Sequence, residues 1–119
     1  MHELAIADAI VAIAREHANG RRVALVEVKV GALRQVVPEA LAFAFELVAV
    51  GTPVEGAELV IDEVEARVKC RTCEAESVVP EFPLACARCG SVDVDVVGGE
   101  ELHVEALELE EREVAELRR

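Results

Sequence analysis

The sequence predicts an α+β fold, a small three-stranded sheet with two helices plus an inserted four-cysteine zinc-ribbon module. Three observations point to it. Apolar residues recur at helical spacing in two segments and alternate along three others. All 4 cysteines fall in two hooks, Cys70-Arg71-Thr72-Cys73 and Cys86-Ala87-Arg88-Cys89, in the pattern C-x2-C-x12-C-x2-C. The 119 residues suffice for one modest domain or for a small domain carrying a metal-stapled insert, and not for two ordinary domains. Hydrophobic residues make up 53% of the chain but aromatics only 3%, without Trp or Tyr, so Val, Leu, Ile and Ala must build the core.

From Glu3 to Ala18, Ile6, Ile10, Ile13 and Ala14 recur at helical spacing, and Asn19-Gly20 is a stop signal. Val23 to Val30 reads as a half-buried strand, with Ala24, Val26, Val28 and Val30 on one face and Glu27 and Lys29 on the other. Pro38 suits a first helical residue, and Leu41, Phe45 and Val48 line one face of a second helix that finishes at Gly51. Leu59 to Lys69 alternates as one long strand running into the first hook. Ser77 to Val79 and Val92 to Val97 are short ribbon strands, and Gly98-Gly99 returns the chain to the main body. Leu102 to Leu109 is a further strand whose phase slips after Ala106, as a bulge would make it. Glu110 to Arg119 reads as a charged helical tail. The expected division is 1–66 with 99–119 as the α+β domain and 67–98 as the ribbon.

Four thiolates in paired hooks enclose one tetrahedral zinc at about 2.3 Å, each hook turning tightly enough to aim both sulfurs at one point. Gly90, directly after Cys89, suits such a turn. A closed four-sulfur site leaves no position for substrate or water, so this zinc is structural. The competing reading is two disulfides, which need an oxidising compartment. Met1-His2-Glu3-Leu4 has no basic run, and Asp8 and Arg15 interrupt the apolar stretch after it, so neither a secretion signal nor a membrane span is expected. That leaves the cytoplasm, where such hooks are metal sites more often than bridges.

A net charge of −12 repels phosphate backbones and excludes nucleic acid as a partner. Enzyme signatures are absent. His103-Val104-Glu105 comes after the hooks instead of before them, as a zinc deaminase would require, and there is neither an H-E-x-x-H nor a phosphate-cradling Gly-rich loop. His17 and His103 read as surface residues. His2 stands apart, because its imidazole lies next to the α-amino group and the backbone nitrogens of His2 and Glu3. Nitrogen donors in a square plane favour Ni(II) or Cu(II). The alternative is a frayed terminus whose histidine does nothing.

Met1-His2-Glu3-Leu4 opening a helix, Val28-Lys29-Val30-Gly31 closing a strand, the run Pro38-Glu39-Ala40-Leu41-Ala42-Phe43-Ala44-Phe45-Glu46 and the paired hooks together resemble the HypA family of hydrogenase maturation nickel metallochaperones. The resemblance covers nearly the whole chain. It implies Ni(II) cargo at Met1, His2 and Glu3 in the α+β domain, and structural Zn(II) at Cys70, Cys73, Cys86 and Cys89. It also implies two partners, the nickel-handling GTPase HypB and the precursor of the [NiFe]-hydrogenase large subunit, with urease as another target that relatives serve. Where some members carry a carboxylate before the second helix, this chain has Val37, and the nearest acid is Glu39. The expected protein is a monomer or weak homodimer without catalytic turnover. Two other readings compete with it: a zinc-ribbon adaptor that grips a protein partner, with His2 idle, and an enzyme with an unrecognised site.

Overall fold

The structure, a computed structural model, describes residues 2–110. Met1 and the expected helical tail beyond Glu110 lie outside the described residues. Helix α1 spans Glu3–Ala18, strand β1 Val23–Gly31, a 3-10 turn Ala32–Arg34 and helix α2 Pro38–Ala49. Strands β2 (Glu58–Val64), β3 (Arg67–Cys70), β4 (Glu76–Val78), β5 (Val94–Gly98) and β6 (Leu102–Leu109) complete the order. They form two three-stranded sheets, ordered β2-β1-β6 and β4-β3-β5. The expected α+β fold with two helices is present. Among the described residues the chain divides into two compact units, one of 2–28, Val36–Asp62 and 103–110, the other of Lys29–Gln35 and Glu63–Leu102.

In the first unit α1 packs on α2. The buried positions of α1 are Glu3, Ala7, Ile10, Val11, Ala14 and Ala18, a stripe at i, i+4, i+7 and i+8 spacing. Ile6 is only partly buried and Ile13 is exposed, so the expected face is rotated towards Ala7 and Val11. Alanines at three of these six positions keep the face low enough for α2 to approach closely. Asn19 takes a left-handed conformation (φ 54°) and its N–H bonds the Arg15 carbonyl at 3.1 Å, ending the helix where the sequence put its stop. In α2 the buried residues are Leu41, Ala44, Phe45 and Ala49. Proline at the first helical position costs this helix no hydrogen bond.

β1 lies at the centre of its sheet, and Val26 and Val28 are fully buried there. The Gly31 N–H bonds the Glu101 carbonyl and the Glu110 N–H bonds the Arg22 carbonyl, so β6 runs antiparallel to β1. Along β6 the half-buried residues are Leu102 and Val104, then Leu107 and Leu109, while Ala106 is exposed. The change of phase therefore falls before Ala106, one residue earlier than expected.

The second unit corrects one element. Leu59 to Lys69 is not a single strand: β2 ends at Val64, and β3 starts at Arg67 in the other sheet. The break falls at Glu65-Ala66, where the Ala66 carbonyl accepts the Val79 N–H at 2.8 Å. Gly99 (φ 104°) lies so close that a Cβ on it would stand 2.6 Å from the Ala66 Cα, and a Cβ on Gly31 would overlap the Gly99 carbonyl. That carbonyl accepts the Leu33 N–H at 2.8 Å, and the Glu101 carboxylate accepts the Gly99 N–H at 2.8 Å. β3 pairs antiparallel with β4 (Val68 opposite Ser77) and with β5 (Val68 opposite Val96, Cys70 opposite Val94). Ala66, Val68 and Val79 form a small buried cluster edged by Leu33, Leu84, Val94 and Val96. No helix among the described residues is long and apolar enough to cross a membrane.

Candidate metal centre

β3 delivers Cys70 to the end of the second sheet, where the chain enters a turn that the second hook repeats bond for bond. In the first hook Cys70 Sγ accepts the N–H groups of Thr72 and Cys73, both at 3.3 Å. The Glu74 N–H bonds the Cys70 carbonyl at 3.0 Å, and the Cys70 N–H bonds the Ala75 carbonyl at 2.9 Å. In the second, Cys86 Sγ accepts the N–H groups of Arg88 and Cys89 at 3.4 Å. The Gly90 N–H bonds the Cys86 carbonyl at 2.8 Å, and the Cys86 N–H bonds the Ser91 carbonyl at 2.8 Å. Each turn needs a left-handed residue after its second cysteine. Gly90 takes it at φ 79°, and Glu74 takes the same place at φ 65° without a glycine's freedom. Glycine flagged the second turn in the sequence; nothing flagged Glu74.

The two turns bring Cys70, Cys73, Cys86 and Cys89 together, their sulfurs all within 4.8 Å of one another. Cys70 Sγ lies 3.6 Å from Cys89 Sγ, and Cys73 Sγ lies 3.7 Å from Cys86 Sγ. A disulfide bond is about 2.05 Å long, and all four cysteines are free. Sulfurs placed tetrahedrally at about 2.3 Å from a common centre stand about 3.8 Å apart, so the donor set fits one ion of that kind. Cys70 and Cys86 are buried, while Cys73 and Cys89 face solvent.

The amides also tune the sulfurs. The Cys73 N–H, with help from that of Thr72, draws the Cys70 thiol down to about 6 against the opposing effect of burial. The Cys89 and Arg88 amides lower Cys86 in the same way. Cys89 is pushed up to about 11. The Ser91 amide pulls it down, but the Cys70 sulfur, burial and the other two sulfurs outweigh that pull. The first cysteine of each hook is thus shifted towards the thiolate by backbone that the turn has to supply anyway. Beside Cys70, the Arg71 guanidinium reaches the carboxylates of Asp93 and Asp95 across the sheet, a link that no sequence pattern announces.

At the other predicted site, His2 is exposed and precedes α1, its carbonyl accepting the Ile6 N–H at 3.1 Å. Glu3 is the one buried charged residue of the described chain, 7% exposed, and its carboxylate accepts the Val37 N–H at 3.0 Å. Glu3 therefore ties the start of α1 to the residue that caps α2. The nearest acid to Val37 along α2, Glu39, is exposed in the first turn. Among the described residues the four cysteines are the group of side chains placed to hold a metal ion.

Fold and site define a small α+β metal-handling protein with a four-sulfur centre closing its second sheet. Residues 1–109 match the family model described as hydrogenase/urease nickel incorporation, metallochaperone, HypA. Relatives named hydrogenase maturation factor HypA include those of Geotalea uraniireducens, 43% identical, and Geobacter sulfurreducens, 44% identical, each over 92% of this chain and 100% of the relative. The solution structure of the nickel metallochaperone HypA from Helicobacter pylori is similar at a TM-score of 0.61 and 25% identity, over 92% of this chain and 97% of that one. A second solution structure of a HypA protein matches at a TM-score of 0.63 and 25% identity, over 92% of this chain and 96% of that one. The chain belongs to the HypA family.

Proposed function

We propose that this chain is a nickel metallochaperone of hydrogenase maturation, carrying Ni(II) at its first three residues and a structural zinc at its four cysteines. The family match over residues 1–109 carries the reading. The zinc assignment draws support from the sulfur spacings, which suit a tetrahedral ion of that size. When bound, zinc supplies a charge centre that holds the two turns together. The chain's own part is to aim the hook amides at the Cys70 and Cys86 sulfurs, which favours their thiolate forms.

Nickel is cargo. The proposed donors are the α-amino group, backbone nitrogen and the His2 imidazole, with Met1, His2 and Glu3 forming the site. Two observations favour it. The His2 side chain is exposed, and the first amides of a helix have no intrahelical acceptor, so using them for a metal breaks no helical bond. The nickel-binding part is 1–66 with 99–119, and the ribbon is 67–98. The proposed setting is the cytoplasm, with HypB and the hydrogenase large-subunit precursor as partners, and the role is binding and delivery without catalytic turnover.

The test is a titration of zinc-loaded protein with Ni(II), followed by visible absorption, in wild type, His2→Ala and a chain with residues fused ahead of Met1. Wild type should give a yellow, diamagnetic planar complex that weakens as pH falls, because amine and imidazole must lose protons to bind. Both altered chains should lose it. Unchanged affinity and spectrum in either one rejects the N-terminal site.

A further inference from the structure

Helix α2 is apolar on both sides. Opposite its buried face, Phe43 and Leu47 and then Val50, the residue that caps the helix, succeed one another at i, i+4 and i+7, with exposures of 63%, 56% and 63%. Ala40 is exposed one turn earlier. The chain has only 3 phenylalanines, and Phe43 is turned to solvent while its near neighbour Phe45 is buried. Single exposed apolar residues are ordinary, but a stripe repeating at one-turn spacing makes a continuous ridge. Glu39 and Glu46 are both exposed. At 3.6 residues per turn they fall along one edge of that ridge. The sequence of α2 contains no basic residue at all.

We propose that this ridge is a docking surface for an amphipathic basic helix of a partner protein. The partner's apolar side chains at one-turn spacing seat against Phe43, Leu47 and Val50, and Lys or Arg along one flank meet Glu39 and Glu46. A helix fits the repeat of the ridge, as ridges of one helix fill grooves of another. Charge selects the sign of the partner. Pairing α2 with the same helix of a second copy would set acids against acids with no cation on either helix, in chains of net charge −12. The surface stands on geometry and charge alone, whichever metal the chain carries.

The probe is a fluorescent synthetic helical peptide of roughly 15 residues, with Leu at i, i+4, i+7 and i+11 and Lys on one flank. It is compared with an isomer of the same composition whose Leu are spread round the helix, titrated by anisotropy into full-length protein. The amphipathic peptide should bind at least about tenfold tighter than its isomer, and Phe43→Ser/Leu47→Gln should remove at least about tenfold of that affinity. Because both side chains are exposed, circular dichroism and the thermal midpoint should not change. Val50→Ser alone should show the same effect at smaller size. Glu39→Gln/Glu46→Gln should weaken binding several-fold and flatten its salt dependence. Equal binding of the two peptides, or binding indifferent to the Phe43 and Leu47 changes, would mean that net charge alone attracts and would overturn the proposal. So would a dimer in sedimentation that Phe43→Ser abolishes, which would make a second copy the occupant. Binding that appears only after removal of residues 111–119 would assign the face to the chain's own last segment, and would equally overturn it.

Discussion

The two units hold themselves together with different materials. In the first, α1, α2 and the central strand β1 bury Ile10, Val11, Val26, Leu41, Phe45 and Val54 among small alanines. In the second, the buried cluster is Ala66, Val68 and Val79, and the remaining strength has to come from the four sulfurs. A β module of roughly 40 residues lies near the size below which apolar burial stops sufficing and metals or disulfides take over. The difference teaches where each unit is vulnerable: one to the loss of a methyl group, the other to the loss of an ion.

The largest effect should come from the metal. Zinc contributes on the order of 10 kcal/mol to the folding of modules of this kind. Cys73→Ala, or removal of the metal with a chelator, should therefore erase amide-exchange protection from Val68 to Val96 while Ile10, Val26 and Phe45 keep theirs. Equal loss in both units would show that they fold as one and dissolve the comparison. Acid should act in the same direction. The Cys70 thiol is held down to about 6 in the fold, against 9.0 ordinarily. A thiol pKa depressed in the fold stabilises it fully above about 9, progressively less as pH falls from there, and not at all below about 6. Metal retention, measured by a zinc-release dye, should fall as pH is lowered, because protons compete with the ion for the four thiolates.

The next effect belongs to the other unit. Phe45→Ala removes a fully buried ring and should cost about 3–5 kcal/mol by denaturant unfolding, leaving one metal per chain by elemental analysis. Loss of the metal along with stability would again argue against independence. The smallest effect should come from Arg71→Ala. Its links to Asp93 and Asp95 lie in solvent, so the thermal midpoint should move by no more than about 2 °C and the metal should stay. A larger shift would make the guanidinium a working part of the knuckle.

What the sequence made legible was whatever has a local cause. The hooks, the Asn19 stop, Pro38 and the period of each helix are written in neighbouring residues, and the structure carries them. The break at Glu65-Ala66 was hidden because Val60, Val64, Ala66 and Val68 keep one alternation across it. Periodicity records which face is apolar and is silent on which sheet a strand joins. The face of α1 was misplaced for a related reason: Ile6 and Ile13 outweigh Ala7 by hydrophobicity, yet close helix packing selects the small residue. Glu74 in a left-handed turn, the bond from Glu3 to Val37 and the reach of Arg71 to Asp93 all depend on partners or torsions that leave no local trace. The outward stripe of α2 was visible as letters, but a search for the buried face alone passes over it.

Ala66 and Gly99 touch, and that contact has a consequence for the lineage of the module. Everything between them is a detour that leaves and rejoins the chain at a single point. Lengthening or shortening such a detour leaves the spacing of its ends unchanged, and the entropic cost of a longer closed path grows only slowly with length. Insertions are therefore tolerable where the path is exposed, as at Glu81 and Phe82, but not through β4 and Val79, which pair with and pack on β3, and a different module with touching ends could be grafted between Ala66 and Gly99. The positions at the crossing are not free in this way, because no side chain larger than hydrogen fits at Gly31 or Gly99.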